Sequence, residues 1–168
     1  MPDGKKIVFS AAFTGEAFTG EAAYLRLLDL ATGEVTKFPG SDGLHSPRVS
    51  PDGSTLAALV LEDFAEAELR LYRFSEGVWK GLPHPGPGRS AWPSWSRDSQ
   101  SIWYYNFQRG LIRRCRVRDN QNEEMLPLKL DEMTGLIGSW FSLTPEDEPM
   151  ILRRREVQQI YALDLKPR

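Results

Sequence analysis

A short turn motif recurs four times along this chain at nearly even spacing. Each copy contains an acidic residue beside turn-forming neighbours, and the aligned acidic residues are Asp3, Asp52, Asp98 and Glu146. These residues lie 49, 46 and 48 positions apart, with strand-like segments between them. Repeats of this length are typical of a β-propeller, in which each repeat forms one blade of four strands. We therefore predict an all-β propeller with about four repeats of four-stranded antiparallel blades.

The second repeat shows the unit most clearly. Pro51-Asp52-Gly53 favours a tight turn, because proline presets φ, aspartate bonds the backbone ahead of it and glycine accepts a positive φ. An extended segment at 45–49 precedes this turn, and the apolar run at 55–61 follows it as a buried strand. An alternating strand at 69–74 and a fourth strand at 78–82 complete the repeat. We name these strands A, B, C and D, and expect strand A to lie nearest the propeller axis.

The other three repeats fit the same template. Their predicted B strands are residues 7–9, 102–105 and 150–152. Their predicted C strands are residues 25–30, 112–117 and 160–165. Residues 1–168 are predicted to form a single propeller array, with repeats at 1–43, 44–88, 89–135 and 136–168.

Two of the four turns depart from the Pro-Asp-Gly pattern. Arg97 and Ser99 stand where the second turn has proline and glycine. In the fourth turn, Glu146-Asp147 replaces Asp-Gly. Because these turns lack residues that favour a tight turn, we expect them to be less regular than the second.

The strand count predicts a partial or open ring. The first repeat begins inside its turn and offers strands B, C and D, whereas the last offers strands A, B and C. The missing strands belong to different blades, so the two ends do not complete one blade together. We expect an arc of a larger ring, with the other blades supplied by a longer gene product or a second copy. A strained, closed four-blade ring is the alternative.

The repeats resemble the TolB-type, WD-like propeller repeats. The resemblance is carried by the turn and strand at 50–59, by the C strand at 160–165 and by residues 2–9, and it covers essentially the whole chain. Such repeats occur in the periplasmic TolB protein, in propellers of prolyl-oligopeptidase-like enzymes and in sensor-like arrays of bacterial membrane-bound regulators. The resemblance implies a bacterial, protein-binding repeat module and favours a periplasmic or other extracytoplasmic location, although no signal peptide is visible at the N-terminus.

Composition excludes several other classes of protein. The hydrophobic fraction of 40% and the charged fraction of 26% are those of a globular domain with a real core. The formal net charge of -2 gives no bulk attraction for nucleic acid. Cys115 is the single cysteine, so no disulfide forms within the chain. No apolar run is long enough to span a membrane.

The residues needed for catalysis or metal binding are sparse. The two histidines are His45 and His84, and no Gly-x-Ser-x-Gly nucleophile elbow occurs. One cysteine and two distant histidines do not have zinc-ligand spacing. The acidic loop at 62–66 lacks the calcium-loop pattern. We therefore predict a protein that is not an enzyme and has no cofactor and no metal site.

The C strand of the third repeat and its flanks carry a cluster of arginines: Arg109, Arg113, Arg114, Arg116 and Arg118. A nucleic-acid surface would also show interleaved aromatic residues and a positive net charge. The chain is acidic overall, and Glu123-Glu124 lies on the adjacent D strand. We predict a solvated, ion-paired surface and no nucleic-acid partner.

The candidate binding residues lie on or beside the A strands, where loops between blades open toward a ligand. They are His45, Arg48, Trp92 and Trp140. Trp95 and Leu143 take the place of Val49 before their turns, and we predict that they pack between blades.

These features predict a non-catalytic module of a larger bacterial protein. We expect it to bind or sense a protein or small-molecule ligand, and to associate with itself or with missing blades. The alternative function is the gating propeller of a prolyl-oligopeptidase-like serine peptidase, whose catalytic domain would lie outside these residues.

Overall fold

The computed structural model describes residues 1, 3–10, 23–60, 69–82, 90–128, 134–135 and 138–152. Within these ranges every regular element is a β-strand, which confirms the predicted all-β class. The described part of the chain contains no helix with the length and apolar character that a membrane span requires. Several predicted features lie outside the described residues: the C strand at 160–165, the acidic loop at 62–66, and His84.

The first two blades are antiparallel meanders, in which each strand pairs with the next along the chain. The first blade contains β1 (Lys6–Ser10), β2 (Leu25–Asp29) and β3 (Val35–Lys37), which match the predicted B, C and D strands. The second blade is a complete four-stranded sheet of β4 (Leu44–Val49), β5 (Thr55–Val60), β6 (Leu69–Arg73) and β7 (Val78–Leu82). Antiparallel neighbours need only short connections, and the predicted turn at 51–54 joins β4 to β5 in this way.

The third blade repeats the complete four-stranded sheet. Its strands are β8 (Ser90–Trp95), β9 (Ser101–Asn106), β10 (Leu111–Arg116) and β11 (Gln121–Pro127). A short hairpin follows, formed by two strands of two residues each, β12 (Thr134–Gly135) and β13 (Gly138–Ser139). The described part of the fourth blade is the antiparallel pair β14 (Phe141–Leu143) and β15 (Pro149–Ile151). Stacked meanders of this kind are the blades of a β-propeller.

Apolar cores fill the spaces between consecutive blades. Successive side chains of a strand point to opposite faces, and all six residues of β5 are buried. The face toward the first blade carries Leu56, Ala58 and Val60. The face toward the third blade carries Ala57 and Leu59. A third core, between the third and fourth blades, contains Trp103, Tyr105, Ile112, Leu128 and Phe141.

The third turn has the same hydrogen bonds as the second, so the expectation of a less regular third turn is wrong. Ser96 Oγ donates to Asp98 Oδ1 at 2.6 Å and accepts from the Ser101 amide at 2.9 Å, as the equivalent serine does in the second turn. Ser99 occupies the glycine position of the turn with φ 61°. These side-chain bonds hold the backbone in place of the missing proline and glycine.

The fourth turn is shorter than the second and third. The Thr144 amide donates to the Glu148 carbonyl at 2.9 Å, whereas the second and third turns close over one residue more. Asp147 takes the left-handed position with φ 63°, and an aspartate tolerates this conformation better than most residues. The departure that the sequence predicted for this turn is therefore confirmed.

Candidate functional site

An open cleft of about 570 Å³ lies where the A strands of the second, third and fourth blades end. These strands are β4, β8 and β14, and each forms the edge of its sheet that we assign to the propeller axis. Equivalent positions of three successive blades therefore form the walls of one cleft. Its volume falls within the range of small-molecule and peptide sites.

The lining combines apolar walls with charged and hydroxyl groups. The apolar lining residues are Val49, Pro51, Trp95, Leu143 and Pro145. The polar lining residues are Arg48, Ser94, Arg97, Ser142, Thr144 and Asp147. A few convergent polar groups within an apolar surround are the usual composition of a ligand site.

Arg48 is the most desolvated cation of the cleft. Its Nη1 donates to the Pro47 carbonyl at 2.8 Å. Its side chain reaches solvent, yet surrounding protein atoms desolvate the guanidinium and lower its pKa below the usual value. On an open cleft wall an arginine can be partly desolvated and still reachable by a ligand, and Arg48 is exposed. Arg48 stays charged at neutral pH, since arginine titrates far above it.

Arg97 and Asp147 bring the third and fourth blades together at the cleft. The Arg97 backbone amide donates to Asp147 Oδ1 at 2.8 Å. The Arg97 residue itself is exposed, while Asp147 is half-buried. In the part of the chain that the structure describes, neither Arg97 nor Arg48 forms an ion pair.

Three arginines on or beside the third blade's C strand differ from those of the cleft, because they pair with glutamates of β11. Arg109 Nη1 lies 2.8 Å from Glu124 Oε1, and Arg116 Nη2 lies 3.2 Å from Glu123 Oε1. Arg114 also pairs with Glu123. The predicted ion pairing of this cluster is therefore confirmed for these three arginines.

Hydrogen bonds between blades fix the relative position of the cleft walls. The Trp95 indole Nε1 donates to the Arg48 carbonyl at 2.9 Å, which joins the third blade to the second. Close by, the Asp52 amide donates to Ser99 Oγ at 3.1 Å. With the Arg97 bond to the fourth blade, all three walls are tied together. Such a preformed cleft spends little free energy on ordering when a ligand binds.

The structure brings one of the four predicted binding residues, Arg48, to the cleft. His45 pairs with Leu59 nearer the start of β4, is half-buried and has its Nδ1 2.9 Å from Ser46 Oγ. Trp140 is 41% exposed and immediately precedes β14. Neither His45 nor Trp140 belongs to the cleft lining.

Trp92 packs against other aromatic residues of its own blade, the third, instead of lining the cleft. Its ring lies 5.8 Å from that of Tyr105 and 5.4 Å from that of Phe107. Trp92 has φ 54° and precedes the fully buried Pro93, at a register shift between β8 and β9. Ser46, at the equivalent position of β4, has φ 52° at a similar shift. Irregularities of this type re-aim side chains, which explains the position of the tryptophan.

Sequence reasoning missed several lining residues. Trp95 and Leu143 pack against the cores between blades, as predicted, but they also form walls of the cleft. Ser94 and Ser142 occupy the position of Arg48 in the next two blades. The turn alignment could have found these four residues, because equivalent positions of a repeat lie side by side. Within the described ranges, no group of three or more His, Cys, Asp or Glu residues could hold a metal ion.

Comparisons with known proteins establish the fold. No family model and no curated protein matches the sequence. Solved propeller structures do match, and TolB from Acinetobacter baumannii superposes with a TM-score of 0.64 at 19% sequence identity. That match covers 91% of this chain but 36% of TolB. The chain therefore has a β-propeller fold and resembles TolB, and it spans about a third of the TolB length.

Two propellers from peptidases also match. A prolyl endopeptidase structure gives a TM-score of 0.57 at 19% identity, over 89% of this chain and 25% of the endopeptidase. The β-propeller domain of the Trilobed protease from Pyrococcus furiosus, which has an open velcro topology, gives 0.53 at 14% identity. The latter match covers 73% of this chain and 39% of that β-propeller domain. At these identities the similarity shows a shared fold.

Proposed function

We propose that this chain is a non-catalytic binding module, which presents the cleft at the ends of its A strands to a ligand. One observation carries the proposal. Two arginines without an ion pair within the described residues, Arg48 and Arg97, line a single cleft whose walls are joined by hydrogen bonds. Both arginines are exposed, so an anionic group of a bound ligand can reach either of them.

The composition of the lining supports binding over catalysis. Ser94, Ser142 and Thr144 contribute hydroxyl groups, and Asp147 contributes the carboxylate. A serine nucleophile needs an adjacent base within hydrogen-bond reach. The lining includes no histidine, and the Asp147 carboxylate already accepts a bond from a backbone amide.

Amide and indole NMR spectra of the chain test the binding proposal. We expect some members of a mixed set of acidic, basic and neutral peptides and small molecules to shift the Trp95 indole signal and the Arg48 amide signal. Trp95→Phe assigns the indole signal among those of the five tryptophans. The Trp140 indole serves as an internal control outside the cleft. A set in which no compound shifts the two cleft signals would refute the proposal.

The absence of catalysis has its own test. The chain is incubated with peptide and sugar reporter substrates, and we expect no turnover above a heat-denatured control. Robust turnover that disappears on Asp147→Asn would show that the cleft is an active site.

An extracytoplasmic location remains part of the proposal and rests on the resemblance to TolB.

A second candidate function is the gating propeller of a serine peptidase. The fold similarity to the prolyl endopeptidase and to the Trilobed protease propeller favours it. In that case the chemistry would belong to another domain, and this chain would control access to it. The adjoining coding sequence separates the two functions: a Gly-x-Ser-x-Gly elbow would favour the peptidase, whereas a winged helix or kinase with a membrane span would favour a sensor.

A further inference from the structure

We infer that the cleft selects a carboxylate group flanked by apolar side chains, as in an acidic peptide segment. The inference rests on the proposed binding function and names the ligand class for the same cleft. It combines three observations: the state of the two arginines, the position of one aspartate, and the apolar walls.

The first observation is that the cleft arginines have donor capacity to spare. A guanidinium carries five N–H donors. The bonds found for Arg48 use Nη1, which donates to the Pro47 carbonyl. For Arg97, the bond in the described structure comes from the backbone amide and leaves the guanidinium out. Arginines of the neighbouring C strand show the contrast, because each of Arg109, Arg114 and Arg116 already holds a carboxylate.

A guanidinium matches an anion with two coplanar oxygens. The planar fork of arginine binds carboxylate and phosphate in a bidentate manner. The partial desolvation of Arg48 makes such a bond stronger than it would be in open water, because the local dielectric is lower. The cleft therefore favours an anion that can reach Arg48.

Asp147 limits the net positive charge of the cleft. This aspartate lies on the same lining as the two arginines and is fixed by the Arg97 amide at 2.8 Å. Its charge repels any anion in the cleft and offsets part of the attraction that the two arginines exert. With two cations and one anion on its lining, the cleft is matched to a single negative charge.

The apolar walls extend the ligand beyond the anion. Trp95 and Leu143 stand next to the arginines, and Val49 and two prolines continue the apolar lining. A volume of about 570 Å³ holds far more than a carboxylate group. An acidic residue between two aliphatic residues of a peptide fits both parts of this lining, since each aliphatic side chain buries apolar area.

The test uses a pentapeptide with one central glutamate between two leucines, capped at both ends. Its matched partner has glutamine in place of glutamate, and succinate and inorganic phosphate are the small-anion probes. Binding to the full chain is followed by the Trp95 indole and Arg48 amide signals. We expect the glutamate peptide to bind at least about tenfold more tightly than the glutamine peptide, because a hydrogen bond to a charged group is roughly twice as strong as a neutral one. Succinate and phosphate are expected to bind more weakly than the glutamate peptide, because they lack the aliphatic side chains that would cover the apolar walls.

Variants assign the selectivity to the arginines. Arg48→Gln is expected to remove the preference for glutamate, and Arg97→Gln to reduce it. Arg118→Gln is the matched control, because this arginine is 71% exposed, lies outside the cleft lining and pairs with Asp119. Far-UV circular dichroism and a thermal melt confirm that each variant is folded.

The possible outcomes separate this inference from the proposed function. If glutamate and glutamine peptides shift the cleft signals equally, or if Arg48→Gln keeps the preference, the carboxylate inference is wrong while binding stands. Tighter binding of phosphate overturns it in the same way. If neither these probes nor the wider compound set shifts the cleft signals, both the inference and the binding function fail.

Discussion

Alanine substitution at one equivalent position of the repeat should lower the free energy of unfolding much more in the second and third blades than in the first. Ile7, Leu56 and Ile102 occupy the same place in the B strands of the first, second and third blades. Leu56 and Ile102 are 0% exposed, since each faces the blade before it, whereas Ile7 is 46% exposed. The three side chains are nearly the same size, so their differences report the burial that stacking creates.

The expected magnitudes follow from burial. Replacing a fully buried leucine or isoleucine by alanine removes transfer free energy and leaves a cavity, which together cost about 2–5 kcal/mol. Leu56→Ala and Ile102→Ala should each fall in this range. Ile7→Ala removes about three methyl or methylene groups that are already half in water and leaves no closed cavity, so its cost should be about 1 kcal/mol.

Urea unfolding measures these costs. Tryptophan fluorescence and far-UV circular dichroism are recorded together, and the free energies are compared where the two transitions coincide. We expect both buried variants to unfold at clearly lower urea concentration than Ile7→Ala, with unchanged slope. Equal costs at all three positions would contradict the stacked-blade arrangement, and a large cost for Ile7→Ala alone would show that its face is covered in solution.

Three further results are expected. Hydrogen bonds from the preceding serine hydroxyl and from backbone amides lower the pKa values of Asp52 and Asp98. The stability from these bonds is present above the unfolded-state pKa of about 4 and is lost as pH falls through the lower folded-state values. An Asp52→Asn, Asp98→Asn double variant should therefore lose less stability than the parent in urea titrations below about pH 4. Burial raises the pKa of Cys115 to about 11, so at about pH 8 its thiol should react with a disulfide reagent on the order of two hundredfold more slowly than a free thiol; rapid labelling of the native chain would contradict this. Ser99→Gly should be more stable than Ser99→Ala by about 1 kcal/mol in the free energy of unfolding, and should therefore melt at a higher temperature, because glycine adopts the left-handed backbone without strain. The reverse order would contradict the strain argument.

The spacing of the turns predicted most of the fold, because the backbone geometry of each turn depends on residues that are adjacent in the sequence. Serine and aspartate side chains bond the backbone within each turn, so a few adjacent residues suffice to define it. The strands were predicted from apolar alternation for the same reason, because that pattern also involves residues close together in the sequence. The third turn was misjudged because the prediction gave weight to Arg97 and Ser99, whereas the hydrogen bonds of the turn depend on Ser96 and Asp98. Both of these residues match the second turn.

The candidate site was predicted less well, because it is assembled across blades. Arg48 was identified from its place on an A strand, and the structure puts it in the cleft. Trp92 was misplaced, since its positive φ and the register shift beside Pro93 depend on how β8 pairs with β9. Arg97 was overlooked as a binding residue, because in the sequence it was only a departure from a turn pattern.

By itself, the sequence determined the repeat, the strand order within each blade and the apolar faces, because each depends on residues close together along the chain. Only the tertiary structure decided which side chains meet at the cleft. Arg48, Trp95 and Asp147 come from three different blades, and bonds such as that from the Trp95 indole to the Arg48 carbonyl form only when those blades stack. The physical reason is that stacking is set by burial between sheets, which the order of residues within one repeat does not specify.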